Sequence, residues 1–138
     1  MPELPLTGGC LCGGVRFEID APLVDASYCH CTRCQRRTGA AASPQARPVP
    51  GSLRIVAGEE LLRAYDPGGG GFSKLFCVGC GSSLFSRAPG AEEPSSVRLG
   101  AFDSDPGVRP SFRTHVGSAV AWEEIPDDGL PRYDRGRP

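Results

Sequence analysis

Seven cysteines are the residues of this sequence whose type and spacing point most directly to chemistry. They fall into three groups, Cys10-Leu11-Cys12, Cys29-His30-Cys31-Thr32-Arg33-Cys34 and Cys77-Val78-Gly79-Cys80. Zinc takes four ligands in a tetrahedron, and thiolates from two short cysteine turns can supply them. Two pairs and one triplet therefore suggest two sites, one closed by four sulfurs and one of three sulfurs with a position left open.

Glycines follow both cysteine pairs, Gly13 after Cys12 and Gly81 after Cys80. A C-x-x-C-G turn is typical of a zinc knuckle, because glycine lets the backbone fold tightly and point its amides at the sulfurs. The Cys10 to Gly13 stretch is a shorter version of the same turn. The glycines thus support a metal at the two pairs.

Other uses of the cysteines remain open at this point. Disulfides are disfavoured, because seven is an odd number and the N-terminal residues show no export signal. A thioredoxin-type redox pair at Cys77 and Cys80 lacks an evident βαβ setting. The cysteines can also be buried and inert, and four thiolates also suit an iron–sulfur cluster. Without metal, the triplet would be free thiols near Arg33 and Arg36, with lowered pKa values and easily oxidised.

Basic and histidine side chains near the triplet are candidates for binding. Arg36 and Arg37 lie two and three residues after Cys34, and we predict that they bind a substrate carboxylate, since arginine pairs with carboxylates through two hydrogen bonds. The alternative for both, and for Arg33, is a solvated helix face. His30 is a candidate fourth ligand or proton carrier, although neighbouring residues usually point to opposite sides. His115 is more often a core histidine or one that contacts a metal ligand.

Short strands and frequent turns must position these residues. Gly and Pro are frequent and spread along the chain, and apolar residues recur in short bursts. A helix is predicted only over 32–38, with Thr32 as N-cap and Gly39 as the stop, and the glycine run 67–71 predicts a loop. The predicted strands are 15–19, 24–28, 52–56, 61–65, 72–76, 83–86, 97–99 and 112–116.

The totals predict one domain over 1–138, with an ordered core of about 7–131 and a frayed tail from about Tyr133. A net charge of −1 and a pI of about 6.1 argue against a general nucleic-acid or membrane surface. No apolar run reaches 18 residues, so no membrane span is expected. The first residues lack the features of a signal peptide, and the expected compartment is the cytoplasm.

Three ordered motifs resemble one family. They are Gly9-Cys10-Leu11-Cys12-Gly13-Gly14-Val15-Arg16-Phe17, Cys29 to Cys34, and Phe76-Cys77-Val78-Gly79-Cys80-Gly81-Ser82. This pattern resembles the glutathione-dependent formaldehyde-activating enzymes, also called the centromere protein V family. The stretches Leu99 to Asp103 and His115 to Trp122 match in order and spacing, so the resemblance covers about Gly8 to Pro131.

The resemblance implies a mainly β fold of several coiled antiparallel sheets around zinc knuckles, the β-tent or Mss-four-like class, with at most short helices. It implies a structural zinc held by four cysteines and a second zinc held by the triplet at the reactive site. The implied structural ligands are Cys10, Cys12, Cys77 and Cys80. The implied reactive ligands are Cys29, Cys31 and Cys34.

The activity implied by the resemblance is the condensation of formaldehyde with glutathione to S-hydroxymethylglutathione, a carbon–sulfur lyase reaction in reverse. The expected partner is a small thiol such as glutathione. Fold alone does not fix the reaction, and the second hypothesis is a non-catalytic, zinc-stabilised binding module. A chromatin-binding module is expected to be strongly basic, and here only Arg132, Arg135 and Arg137 lie near the end.

Overall fold

The computed structural model describes residues 2–138, so Met1 lies outside the described structure. Short β-strands connected by turns make up most of the chain. One α-helix is found in the described residues, α1 (Thr32–Thr38). The ten strands of this part of the chain are β1 (Leu6–Gly9), β2 (Arg16–Ile19), β3 (Asp25–Cys29), β4 (Ser43–Arg47), β5 (Leu53–Ala57), β6 (Leu62–Tyr65), β7 (Ser73–Cys77), β8 (Ser83–Arg87), β9 (Ser96–Arg98) and β10 (Arg113–Thr114).

The smaller sheet has three antiparallel strands in the order β1-β2-β5. The central strand β2 alternates as its sequence indicates. Phe17 and Ile19 point inward and are fully buried, whereas Arg16 and Glu18 are half-exposed. This sheet therefore contributes one apolar face to the core.

The larger sheet has seven strands in the order β10-β3-β4-β9-β8-β7-β6. Its pairs are antiparallel except for β10 with β3, which is parallel. One face supplies buried apolar residues from five neighbouring strands and packs against the smaller sheet. These residues are Ala26, Ala46, Val97, Phe85 and Leu75. The two sheets meet where Phe17 contacts Phe85 edge to face, with ring centroids 5.4 Å apart.

The opposite face of the larger sheet is polar although much of it is buried. Side chains alternate between the faces of a strand, so the residues between the apolar positions form a second row. Register places Cys29 opposite Ser43, Gln45 opposite Arg98, and Lys74 opposite Ser86. Ser43, Ser86 and Arg98 are buried. This row is a polar floor on which a site can form.

The helix α1 follows the end of β3 and covers part of this floor. The prediction of Thr32 as N-cap was wrong. Cys31 is the N-cap, because its extended backbone precedes the helix and its Sγ accepts a hydrogen bond from the Cys34 N–H at 3.3 Å. Gly39 ends the helix in the left-handed conformation, as predicted.

Every predicted strand has a counterpart within about one or two residues, but two strands were missed. β1 is rich in glycine, and β4 is polar and contains Pro44, so neither segment shows an apolar alternation. The predicted strand 112–116 is shorter than expected. It ends after Thr114, because His115 adopts a φ of 57° and begins a 3-10 turn.

The C-terminal residues are attached to the fold beyond the predicted fraying point. The Tyr133 N–H donates to the Arg113 carbonyl at 2.9 Å, and the His115 N–H donates to the Arg135 carbonyl at 3.0 Å. The Arg137 guanidinium stacks over the Phe112 ring at 3.9 Å. The tail is therefore not frayed as expected, because its backbone pairs with β10 at the edge of the larger sheet. The polar composition of the tail does not indicate this pairing.

Mainly β structure with one short helix confirms the predicted fold class. In residues 2–138, no helix has both the length and the apolar character that crossing a membrane requires.

Candidate functional site: two cysteine clusters and a cavity

Four cysteines from two distant turns meet at one point. The Sγ atoms of Cys10, Cys12, Cys77 and Cys80 all lie within 4.8 Å of one another. Cys10 and Cys12 Sγ are 3.5 Å apart, and Cys12 and Cys77 Sγ are 3.9 Å apart. Tetrahedral zinc with Zn–S bonds of about 2.3 Å separates its sulfurs by about 3.8 Å. The four-cysteine cluster therefore fits a closed tetrahedral metal site.

Each of the two turns of this cluster closes with a backbone hydrogen bond from the glycine that follows its second cysteine. The Gly13 N–H donates to the Cys10 carbonyl at 3.0 Å, and the Gly81 N–H donates to the Cys77 carbonyl at 2.7 Å. Both glycines have positive φ, 76° and 77°, which glycine adopts without a steric penalty. The first turn joins β1 to β2 and the second joins β7 to β8, so the four-cysteine cluster links the two sheets.

Hydrogen bonds to two sulfurs of the four-cysteine cluster, those of Cys80 and Cys10, favour the thiolate form. Ser82 lowers the pKa of Cys80 to about 5 through its hydroxyl and then its backbone N–H. The same hydroxyl accepts from the Leu11 N–H at 2.9 Å, which ties the first turn to the second. The Val15 N–H donates to Cys10 Sγ at 3.2 Å. These contacts prepare the sulfurs for a cation, since the thiolate is the metal-binding form.

Three further cysteines form a second cluster at the end of β3. Cys29 is the last residue of that strand, Cys31 caps α1, and Cys34 lies in the first turn of α1. Their Sγ atoms also lie within 4.8 Å of one another. Cys29 and Cys34 are buried, and Cys31 is half-buried. The three-cysteine cluster supplies three ligands and leaves one tetrahedral position free.

Crowding makes the thiols of the three-cysteine cluster share their protons unequally. The neighbouring Cys29 and Cys31 thiols raise the pKa of Cys34, with burial adding to the effect. Hydrogen bonds from Cys29 and Cys34 lower the pKa of Cys31. Three thiolates this close repel one another, so a divalent cation would stabilise the fully ionised set. The three-cysteine cluster therefore also fits a metal ion.

The two histidines are on different sides of this cluster. His115 Nδ1 lies 3.6 Å from Cys29 Sγ, within hydrogen-bond distance for sulfur. His30 is buried, and its Nε2 accepts a hydrogen bond from Arg113 at 3.2 Å. Burial and the charge of Arg113 lower the pKa of His30, which keeps its ring neutral. His30 therefore faces away from the sulfurs, whereas His115 contacts one of them.

A cavity of about 740 Å³ opens beside the three-cysteine cluster. This volume lies within the range of about 300–1,000 Å³ that small-molecule sites occupy. The polar face of the seven-stranded sheet forms its floor, and α1, the turn around His115 and the Gly71-Phe72 segment form its walls. Residues that line it include Cys29, Cys31, Cys34, Ser27, Gln45, Ser86, Lys74, Phe72, Phe112 and His115.

The charged side chains in the cavity wall are mostly basic. Arg33, Arg47, Lys74 and Arg137 line it, together with one acidic residue, Asp25. The Asp25 carboxylate accepts from Arg47 at 2.8 Å and from Arg137 at 3.1 Å, so its charge is already matched. The cavity therefore presents a positive field that favours an anionic ligand.

The predicted substrate residues Arg36 and Arg37 do not line this cavity. Arg36 is exposed on the helix surface. Arg37 turns toward the sheet instead, where it donates to the Phe85 carbonyl at 2.8 Å and to Ser86 Oγ at 3.3 Å. Arg33 and Arg37 lie four positions apart and therefore on the same side of α1, but Arg33 lines the cavity, whereas the Arg37 guanidinium is taken up by its hydrogen bonds to β8.

A family model described as glutathione-dependent formaldehyde-activating enzyme matches residues 5–118. This match covers both cysteine clusters and most of the chain. The chain belongs to this family. The resemblance predicted from the three cysteine motifs is thereby confirmed.

One similar protein bears the name of the formaldehyde-activating family, and one solved structure shares the fold. A Halomonas elongata protein that bears the family name is 28% identical over 140 residues, which cover 96% of this chain and 88% of that protein. A Rhodobacter sphaeroides protein of known crystal structure is 27% identical, with a TM-score of 0.57. The match covers 93% of this chain and 99% of that chain. The shared fold thus extends over nearly the whole length of this family member.

Several cavity residues of this family member were missed from the sequence. Gln45 lies on the unpredicted strand β4, and Lys74 and Ser86 lie on predicted strands but were not predicted as site residues. Lys74 is the only lysine of the sequence, and this was the one feature that could have marked it as a candidate site residue. Which face of a sheet borders a cavity depends on strand order, which the local pattern does not contain.

Proposed function

We propose that the chain binds two zinc ions and catalyses the reversible addition of glutathione, or a related anionic thiol, to formaldehyde. Four sulfurs would hold a structural ion, and Cys29, Cys31 and Cys34 would hold a reactive one. The observation that carries the proposal is the opening of the three-cysteine cluster onto a basic cavity. Family membership supplies the substrate pair.

The reaction is balanced without any further reagent. The thiolate sulfur of glutathione attacks the carbonyl carbon of formaldehyde, a carbon–sulfur bond forms, and the carbonyl oxygen takes a proton. The reverse step is a carbon–sulfur lyase reaction. When bound, zinc with an open position supplies Lewis acidity and favours the thiolate form of a sulfur ligand.

The residues of the cavity would bind and orient the thiol. Arg33 would offer its guanidinium group to one of the two carboxylates of glutathione, and Arg47 and Arg137, which share Asp25, add one net positive charge to the cavity. Phe72 and Phe112 give the cavity apolar wall area that limits the access of water. His115 would hold Cys29 in position through the contact between Nδ1 and Sγ.

A non-catalytic binding module is the second candidate, and the tail bears on it. Arg137 packs on Phe112 and contacts Asp25, and Arg132 donates to the Pro126 carbonyl at 2.8 Å. These arginines are thus engaged within the fold and do not form a free basic tail. The positive cavity favours a small anionic ligand over nucleic acid.

Exchange spectroscopy by NMR on mixed formaldehyde and glutathione tests the proposal. The protein should speed the exchange between free glutathione and its hydroxymethyl adduct, and Cys31→Ser should abolish the acceleration. Zinc content measured on the same samples should fall from two ions per chain to one. A parent protein with two zinc ions and no acceleration would remove the enzymatic proposal and leave the metal sites.

A further inference from the structure

A buried arginine without a carboxylate partner lies in the polar floor of the larger sheet. Arg98 is 6% exposed, and it donates to Gln45 Oε1 at 2.7 Å and to Ser86 Oγ at 2.9 Å. Its Nε–H has no partner, and within residues 2–138 no acidic side chain pairs with it. Burying an unpaired charge is costly. The anionic groups of the protein that face this guanidinium are the Cys34, Cys29 and Cys31 sulfurs, and no carboxylate of residues 2–138 contacts it, so its positive charge also acts on the cavity floor.

The hydroxyl of Ser86 receives two guanidinium groups. Arg98 donates to Ser86 Oγ from one side, and Arg37 donates to it at 3.3 Å. A hydroxyl has two acceptor positions and one donor. Because both acceptor positions are used, the Ser86 O–H is left to donate, and it lines the cavity. The two arginines thus leave a hydrogen-bond donor for a group in the cavity.

Lys74 stands beside Ser86 on the neighbouring strand. The register of β7 and β8 pairs these two residues directly, so their Cβ atoms lie about 5 Å apart on one face. Lys74 is half-buried, lines the cavity, and has no ion-pair partner in the described part of the chain. An ammonium and a hydroxyl donor thus stand side by side above a buried guanidinium.

We propose that Lys74, Ser86 and Arg98 form an anion-binding subsite in the cavity floor that takes a carboxylate of the ligand. Lys74 and Ser86 donate hydrogen bonds to the carboxylate. Arg98 fixes the direction of the Ser86 hydroxyl and supplies the positive charge beneath it. Only the identification of the ligand as a thiol acid rests on the proposed function. The subsite itself stands on the buried charge and the free donors.

The single lysine makes the subsite directly observable. Zinc-loaded protein with ¹³C-labelled lysine has one side-chain Cε resonance, that of Lys74. Glutarate, a dicarboxylate without sulfur, should move this resonance along a saturable curve. The neutral analogue 1,5-pentanediol should not. Equal, non-saturating changes with both compounds would overturn the subsite.

Substitutions test what Ser86 and Arg98 contribute to ligand binding. Ser86→Ala and Arg98→Met should each weaken glutarate binding by about tenfold or more, the scale of a lost hydrogen bond to a charged group. Arg63→Gln removes one positive charge from the exposed strand β6 and should leave the affinity unchanged. Unchanged affinity in Ser86→Ala would overturn the subsite, and this variant decides the matter if Arg98→Met does not fold.

The subsite and the proposed function fail in different ways. Saturable glutarate binding without acceleration of the formaldehyde–glutathione exchange would remove the enzymatic proposal and keep the subsite. Acceleration in a protein that shows no saturable glutarate binding at Lys74 would remove the subsite and keep the enzymatic proposal.

Discussion

The four-cysteine and three-cysteine clusters use the same side chain in opposite surroundings. Each cluster has two buried cysteines, but the four-cysteine cluster also reaches the surface: Cys12 is exposed, and Leu11 beside it is 87% exposed. The three-cysteine cluster lies deeper, with Cys29 and Cys34 buried, yet it faces the cavity. The solvent exposure of the cysteines therefore does not decide which of the two clusters is open to a ligand.

What separates the two clusters is the number of sulfurs and the elements that supply them. Four sulfurs complete a tetrahedron, and they come from turns of both sheets, so a metal there would hold the two sheets together. Three sulfurs leave a position free, and they come from one strand and the helix that follows it. The comparison predicts a cluster that serves stability and a cluster that serves chemistry.

The largest expected effect separates the clusters by stability. Cys77→Ser should unfold or aggregate the chain, because structural zinc supplies on the order of 10 kcal/mol in small zinc domains. Cys31→Ser, the matched control, should stay folded, since its cluster lies within a single sheet and its helix. Circular dichroism, size-exclusion chromatography and zinc analysis check both variants. A soluble, fully folded Cys77→Ser protein would contradict the division of roles.

An effect of intermediate size on stability is expected when the ion pair behind the three-cysteine cluster is broken. Arg113 is buried, stacks on Tyr28 at 4.4 Å and pairs with Asp128 at 2.7 Å. Asp128→Asn should lower the free energy of unfolding measurably, since it leaves the buried Arg113 guanidinium without its counter-charge. Denaturant unfolding at pH 7 measures the loss. The four-cysteine zinc should remain bound in the folded variant.

The pH dependence of this pair has a definite sign. The hydrogen bond from Arg113 lowers the pKa of Asp128 below its ordinary value of 3.8. The stabilisation is therefore fully present above that value and is lost as pH falls through the lower folded pKa. The difference between parent and Asp128→Asn should shrink below pH 3.8. A difference that stays constant as pH falls well below 3.8 would assign the effect to another cause.

The smallest expected effect concerns the histidine that contacts the three-cysteine cluster. His115→Asn keeps a residue that tolerates the left-handed backbone at φ 57°. It should change stability by less than about 1 kcal/mol, because it removes one partly exposed contact to Cys29. In competition with a chelator, the variant should lose the zinc of the three-cysteine cluster more readily than the parent does, with no change at the four-cysteine cluster. Equal effects on both zinc ions would contradict a local role for His115.

The sequence carried much of the local structure. The Arg16 to Ile19 alternation, the stop at Gly39 and the cysteine turns depend on neighbours in the chain, and the structure has them where they were predicted. Strands β1 and β4 were missed, because glycine and polar residues hide a strand whose partner side chains come from elsewhere. The assignment of Arg36 and Arg37 to the ligand used proximity along the chain, whereas the cavity collects its charges from several elements.

Taken alone, the sequence determined the mainly β fold class, the formaldehyde-activating family and the grouping of the cysteines as four and three. It could do so because the spacing of ligands and the period of strands are local properties of the chain. Only the tertiary structure decided which residues surround the three-cysteine cluster. Strand order sets one face of the larger sheet against the core and leaves Lys74, Ser86 and Arg98 beneath the cavity. Their juxtaposition depends on contacts between residues far apart in the chain.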